Sequence, residues 1–307
     1  LYTAYITHSD CLKHDMGQQH PECPARLMAI QDQLIASGLM SFLQPFDAPL
    51  ATFEQLARVH TPEHINAIFA ASPQEGTIAI DDDTTMMPFT LTAALRAAGS
   101  AVLATELVIE QKVANAFCAI RPPGHHAESG RAMGFSLFNN IAVGVAHAME
   151  HYGLSRVAIA DFDVHHGNGT EEIFRNDPRV MLCSTFQHPF YPYHGADSGN
   201  DHMINVPLAA GTDGEGFRNA VTQHWLPALE RFQPEMLFIS AGFDAHREEY
   251  MAQLKLVEAD YAWVTQQIKD VAEQHAQGRI VSILEGGYEL HALGRSVAAH
   301  VKVLHGS

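Results

Sequence analysis

The chain has 307 residues, 47% of them hydrophobic, enough to bury a sizeable core and to form one catalytic-sized domain over 1–307. Its formal net charge of −17 opposes nucleic-acid phosphates and anionic lipid and suits a cationic ligand, so nucleic-acid and membrane binding are not expected. Four cysteines, Cys11, Cys23, Cys118 and Cys183, form no C-x-x-C pair and imply reduced thiols in a cytoplasmic protein. The opening "LYTAYITHSD" lacks the basic and apolar regions of a secretion signal. The most apolar helical stretch, Ala93 to Glu110, carries Arg96 and Glu106, which argues against a membrane span.

Along the chain, Gly38 marks a helix stop, Thr61-Pro62-Glu63 a helix start, and 88–110 a long helix. The apolar run 115–120 then reads as a strand, 136–152 as a helix ended by Gly153, and 156–160 and 179–184 as further strands. An irregular stretch is expected over 184–213, followed by a helix at 214–232 and a strand at 235–240. A second irregular stretch covers 241–255, before a helix at 256–277, a strand at 279–284 and a helix at 289–304. This alternation predicts an α/β fold, an open parallel sheet flanked by helices on both faces. No repeat, low-complexity tract or linker interrupts it.

In such a sheet, ligands bind beyond the carboxyl ends of the strands. There the chain places "RPPGHHAESGRAMGF" after 115–120, "DFDVHHGNG" after 156–160, "AGFDAH" after 235–240 and "EGGYEL" after 279–284. If the extended backbone persists, Asp161, Asp163 and His165 point to one side. A carboxylate, an imidazole and a second carboxylate from Asp244 make three N/O ligands, leaving a fourth position of zinc open. Zinc in such a site brings the pKa of its water to roughly 7. Each residue alone reads as a cap or a hydrogen-bonded loop side chain; together, at separate strand ends, they favour a metal. His125 and His126 supply a candidate general base, with Asp161 and Asn168 as orienters. Tyr288, behind Gly286-Gly287, is placed to donate to a developing oxyanion.

These motifs resemble the zinc-dependent histone deacetylase superfamily, in particular its class II and bacterial amidohydrolase members, from "HPECPARL" at His20 through "LEGGYEL". The resemblance implies hydrolysis of an N-acetyl amide, of acetyl-lysine type, to acetate and free amine by attack of zinc-bound water. It implies Asp163, His165 and Asp244 as zinc ligands, His126 as general base and then acid, and His125 as an electrostatic partner bonded to Asp161. Asn168 becomes the partner of His126, and Tyr288 holds the scissile carbonyl. It further implies a tunnel walled by Phe135 and Tyr191, the Gly134 carbonyl near the substrate nitrogen, and Arg26 at the foot of an acetate pocket. Potassium is implied at Asp161, Asp163, His165 and Ser184, and again near Phe174, Asp177 and Val180. Iron(II) is the alternative metal.

Two departures bear on substrate: Tyr191 stands where many relatives have Phe, and Glu249-Tyr250 where Asp-Pro is common. Glu248 or Glu249 could gate a polyamine, making acetylpolyamine the alternative substrate, although a solvated charge at a helix start is the stronger reading of either acid. Asp81-Asp82-Asp83 reads either as a clamp on substrate backbone or as a helix cap. A neighbouring subunit of a homo-oligomer could narrow the mouth. The competing readings are a structural zinc site of Cys11, His14, His20 and Cys23, a two-metal arginase-like hydrolase, and a silent acetyl-amine binding module. The first is disfavoured because the frame can fold without a staple. The second lacks bridging carboxylates, and the third has no need for so complete a set of reactive residues.

Overall fold

The computed structural model describes residues 1–307. In chain order its elements are β1 (Thr3–Thr7), α1 (Ala25–Ala36), β2 (Leu43–Asp47), α2 (Phe53–Ala57), α3 (Pro62–Ala71), the short pair β3 (Ile78–Ala79) and β4 (Thr85–Met86), and α4 (Thr90–Ile109). There follow β5 (Asn115–Cys118), α5 (Asn140–Glu150), β6 (Val157–Asp161), α6 (Asn168–Phe174), β7 (Val180–Gln187) and β8 (Met203–Leu208). The chain ends with α7 (Gly214–Ala220), α8 (Leu226–Phe232), β9 (Met236–Ala241), α9 (Glu258–His275), β10 (Ile280–Leu284) and α10 (Leu290–His305).

The five anticipated strands are β5, β6, β7, β9 and β10, and every residue in them is buried. Unbroken apolar runs suit strands covered on both faces, as in a parallel sheet. Eight strands form that sheet in the order β2-β1-β5-β10-β9-β6-β7-β8, all pairs parallel. Helices α4 and α5 pack together on one side, and α1, α9 and α10 on the other. Helix α4 would be long and apolar enough to cross a membrane, yet 67% of its most apolar window is buried, with α5, β5 and β10 as neighbours.

The structure corrects the sequence reading at several strands. The stretch 184–213 is not irregular throughout, because β7 runs on to Gln187 and β8 follows. Strands β1 and β2 were also not anticipated. Proline in the unread strands is explained by position: Pro45 and Pro207 lie in β2 and β8, the two edges, where a missing N–H costs no central ladder bond. The helix at 214–232 is divided by a π turn at Val221–Trp225, just before Pro227, which has no N–H to donate. At α3 the anticipated start holds, with Thr61 Oγ1 accepting the His64 N–H and Pro62 in the first helical position.

The consequence for chemistry lies in the strand order. The four motif-bearing strands, far apart in sequence, are the consecutive neighbours β5-β10-β9-β6. Their following loops therefore meet at one edge of the sheet.

Candidate active site

Strand β6 ends at Asp161, and the backbone turns immediately, with the Asp163 N–H donating to Asp161 Oδ1 at 3.1 Å. The extended backbone expected to carry Asp161, Asp163 and His165 to one side is thus not present. A turn performs the task for two of them: Asp163 and His165 converge with Asp244, their candidate ligand atoms all within 4.8 Å of one another. His165 Nδ1 lies 3.2 Å from Asp163 Oδ1 and 3.2 Å from Asp244 Oδ2. Backbone fixes both acids, because the Val164 N–H donates to Asp244 Oδ1 and the Gly286 N–H to Asp163 Oδ2, each at 2.9 Å. Gly286 must be glycine for this approach, since a Cβ there would lie 2.3 Å from Asp244 Oδ2 and 2.7 Å from Asp163 Oδ2.

Two buried carboxylates facing one another call for a cation. Burial and then the charge of Asp163 push the Asp244 carboxyl up. Burial alone would lower His165, but bonds to Asp163 and Asp244 outweigh it and raise it to about 9, so positive charge is favoured here. Three N/O donors with an open side fit a divalent ion of the catalytic zinc type.

Beside this cluster the two histidines of "PGHH" have opposite environments. His125 Nδ1 is 2.7 Å from Asp161 Oδ2, and His126 Nδ1 is 2.8 Å from Asn168 Oδ1. Burial disfavours charge on both. For His125 the nearby Asp161, Asp163 and Glu285 overcome that penalty and hold the imidazole well above its ordinary value. For His126 burial is reinforced by repulsion from His125 and His165, and the imidazole is held well below, hence neutral. Adjacent groups with divergent proton affinity suit a division of acid and base roles.

A cavity of about 210 Å³ leads to these groups, lined by Asp83, His126, Gly134, Phe135, His165, Phe190, Tyr191, Met251 and Tyr288. The anticipated walls Phe135 and Tyr191 are both present, and Phe190, missed in the sequence, stacks on His165 at 5.1 Å between ring centroids. Phe135 adopts a left-handed backbone with φ of 67°, and its N–H donates to Thr84 Oγ1. Gly134 precedes it at φ 57°, where a Cβ would strike the His126 ring. The Tyr288 hydroxyl is kept protonated by burial, which pushes its pKa well above 10. Its ring lies under the Arg26 guanidinium, 4.8 Å away.

Arg26, expected at the foot of an acetate pocket, is fully buried and donates to the carbonyls of Gly287 and Glu285 and to Glu22. Glu22 and Arg121 were missed. Glu22 accepts from Arg26 and from two nitrogens of Arg121, forming a closed ionic cluster. Glu285 was also missed; it accepts the N–H groups of Gly124 and His125 and the Ser240 hydroxyl. Its position inside "LEGGYEL", one residue before the glycines, was the available signal. Ser184 is paired with Asp161 across β6 and β7, and its hydroxyl contacts His166 Nδ1 at 2.9 Å. Near α6, the Asp177 N–H donates to the Phe174 carbonyl and the Val180 N–H to that of Asp177.

Several rim readings are corrected. Glu248 pairs with Arg295 at 2.7 Å. Glu249 is buried, and its Oε2 accepts the N–H groups of Tyr288 and Glu289. Asp81 caps no helix; it accepts from the Asp83 and Thr84 N–H groups in a turn before β4. Cys11, His14, His20 and Cys23 do not gather, and His14 instead bonds Thr90 Oγ1 at 2.8 Å.

Residues 20–304 match the family model of the histone deacetylase domain. The chain is 37% identical to a probable deacetylase of Archaeoglobus fulgidus, over 94% of this chain and 82% of that one. It is 38% identical to the histone deacetylase-like amidohydrolase of Pseudomonas aeruginosa, over 88% and 72% respectively. The crystal structure of the HDA15 HD domain superposes with a TM-score of 0.94 at 36% identity, covering 100% of this chain and 88% of that one. With that fold, that sheet edge and those relatives, the chain belongs to the histone deacetylase family and is a hydrolase of its deacetylase and amidohydrolase kind.

Proposed function

We propose that the chain is a zinc-dependent amidohydrolase that cleaves an N-acetyl amide of acetyl-lysine type. The observation that carries this reading is the convergence of an open three-donor cluster, a neutral buried His126 and a protonated Tyr288 on one narrow aromatic cavity. Asp163, His165 and Asp244 would hold the zinc, which when bound polarises the acetyl carbonyl and acidifies water.

The remaining chemistry belongs to side chains. The Tyr288 hydroxyl donates to the carbonyl oxygen as negative charge develops there. His126 Nε2 takes the proton of the attacking water and returns it to the departing nitrogen, so no covalent intermediate is needed. His125, held protonated by Asp161, stabilises the added charge without competing as base. Phe135, Phe190 and Tyr191 grip an apolar alkyl stem and exclude water. The Arg26 guanidinium packs against the Tyr288 ring and backs it. We also propose the potassium site at Asp161, Asp163, His165 and Ser184, supported by the pairing of Asp161 with Ser184 in the sheet.

Acetyl-lysine is favoured over acetylpolyamine because, of the two acids that would gate a polyamine, Glu248 is paired with Arg295 and Glu249 is buried. The test is hydrolysis of an acetyl-lysine peptide and an acetylpolyamine side by side, with wild type and Tyr288→Phe. Faster peptide turnover that collapses in the variant supports the reading. A folded, zinc-replete wild type that hydrolyses neither overturns it.

A further inference from the structure

Asn168 is the hydrogen-bond partner of His126, and an amide is an ambiguous partner. Its oxygen accepts and its nitrogen donates, in nearly the same shape, and a half-turn of the side chain exchanges them. With Oδ1 toward His126 Nδ1, as found at 2.8 Å, the imidazole carries its proton on Nδ1 and leaves Nε2 free. With the amide reversed, Nδ2 would donate to Nδ1 and the proton would move to Nε2. His126 could then not accept a proton toward the cavity.

We infer that Glu128 is the positioning residue that fixes this amide, and through it the tautomer of His126. The inference rests on the proposed role of His126 as base. Glu128 Oε1 accepts from Asn168 Nδ2 at 3.0 Å, whereas the other contacts of Nδ2, to the His126 carbonyl and Met133 Sδ, are both 3.4 Å. A carboxylate only accepts, so a reversed amide would set oxygen against oxygen. The far side of Asn168 opens on a polar groove of about 870 Å³ that Glu128 also lines. Water there donates as readily as it accepts and cannot choose between the two orientations; a carboxylate can. The backbone that carries Glu128 is held firmly. Its N–H donates to the Arg131 carbonyl, its carbonyl faces His60 Nδ1 at 3.0 Å, and the next residue, Ser129, is tied to Glu172 through both backbone and hydroxyl.

The test compares wild type, Glu128→Ala, Asn168→Asp and the double variant, all zinc-loaded, on an acetyl-lysine peptide. Glu128→Ala is expected to lower kcat about ten- to hundredfold, the scale of losing a group that fixes a histidine tautomer, with KM and zinc content unchanged. In the Asn168→Asp background the same change should cost nothing or restore turnover, because aspartate presents only acceptors, needs no lock, and would set its second oxygen against the Glu128 carboxylate. Glu128→Gln, which keeps an amide oxygen, should fall between. Independently of turnover, ¹⁵N NMR should find His126 protonated at Nδ1 in wild type and a mixed population in Glu128→Ala. An unchanged tautomer, or an equal loss in both backgrounds with a lowered melting temperature, overturns the inference. If wild type is inactive on acetyl-lysine, the functional reading fails while the NMR result still decides the role of Glu128.

Discussion

Two buried polar clusters lie at the same sheet edge, and they are built on opposite principles. In the floor cluster, Glu22 is enclosed by Arg26 and Arg121, both fully buried, and both its oxygens have guanidinium partners. In the candidate metal-ligand cluster, Asp163 and Asp244 converge on His165, so that two carboxylates share one imidazole. The first is complete in itself and serves stability. The second is strained electrostatically so that a cation is wanted there. Buried charge alone therefore does not identify a site; acids that converge on one imidazole beside a cavity do.

The contrast can be broken first at Asp244. Asp244→Ala should reduce turnover to background and abolish stabilisation by zinc, about 4 kcal/mol when zinc is a thousandfold above its Kd. Without zinc the variant should melt close to wild type, because the repulsion with Asp163 that is removed offsets the lost bonds to His165 and the Val164 N–H. Metal analysis and melts with and without zinc check this. Glu22→Ala should do the reverse, costing about 3–5 kcal/mol whether or not zinc is present, since two buried guanidinium groups lose their partner. Urea unfolding measures that loss.

Tyr288→Phe sharpens the comparison on the chemical side. It should lower kcat by about 10²–10³, roughly 2.7–4 kcal/mol, with zinc content and melting unchanged. Acid titration separates the clusters again. Burial would raise Glu22, but Arg121 and then Arg26 hold it down, from its ordinary 4.5 to about 2. A lowered folded-state pKa stabilises above the unfolded value, so this contribution is complete above pH 4.5 and is lost as pH falls toward 2. The loss is on the order of 3 kcal/mol and should vanish in Glu22→Gln, as followed by unfolding between those pH values. The smallest effect is expected at the surface: Glu248→Gln, which breaks only the pair with Arg295, should leave the peptide-to-polyamine rate ratio unchanged within about twofold.

The metal-ligand cluster was legible because its residues follow long apolar runs, and parallel strands bring their carboxyl ends together. The geometry of Asp161 was not, since a period-two pattern cannot foresee that β6 stops there and turns. The floor cluster was illegible for a different reason. Glu22 and Arg121 are joined across 99 positions, and neither stands in a pattern that announces the other. Two of the unread strands each carry a proline, Pro45 and Pro207, which is disfavoured in a central strand, and both strands are edges. Glu249 misled through exposure, because an acid next to an expected rim reads as a surface charge until its backbone partners at Tyr288 and Glu289 are seen.

The most direct test of the account is a zinc titration of metal-stripped wild type, following acetate release from an acetyl-lysine peptide. The account predicts negligible turnover at the start, rising in proportion to zinc and levelling at one ion per chain. Full turnover by the metal-stripped protein, or none from a folded chain carrying one zinc, would contradict it.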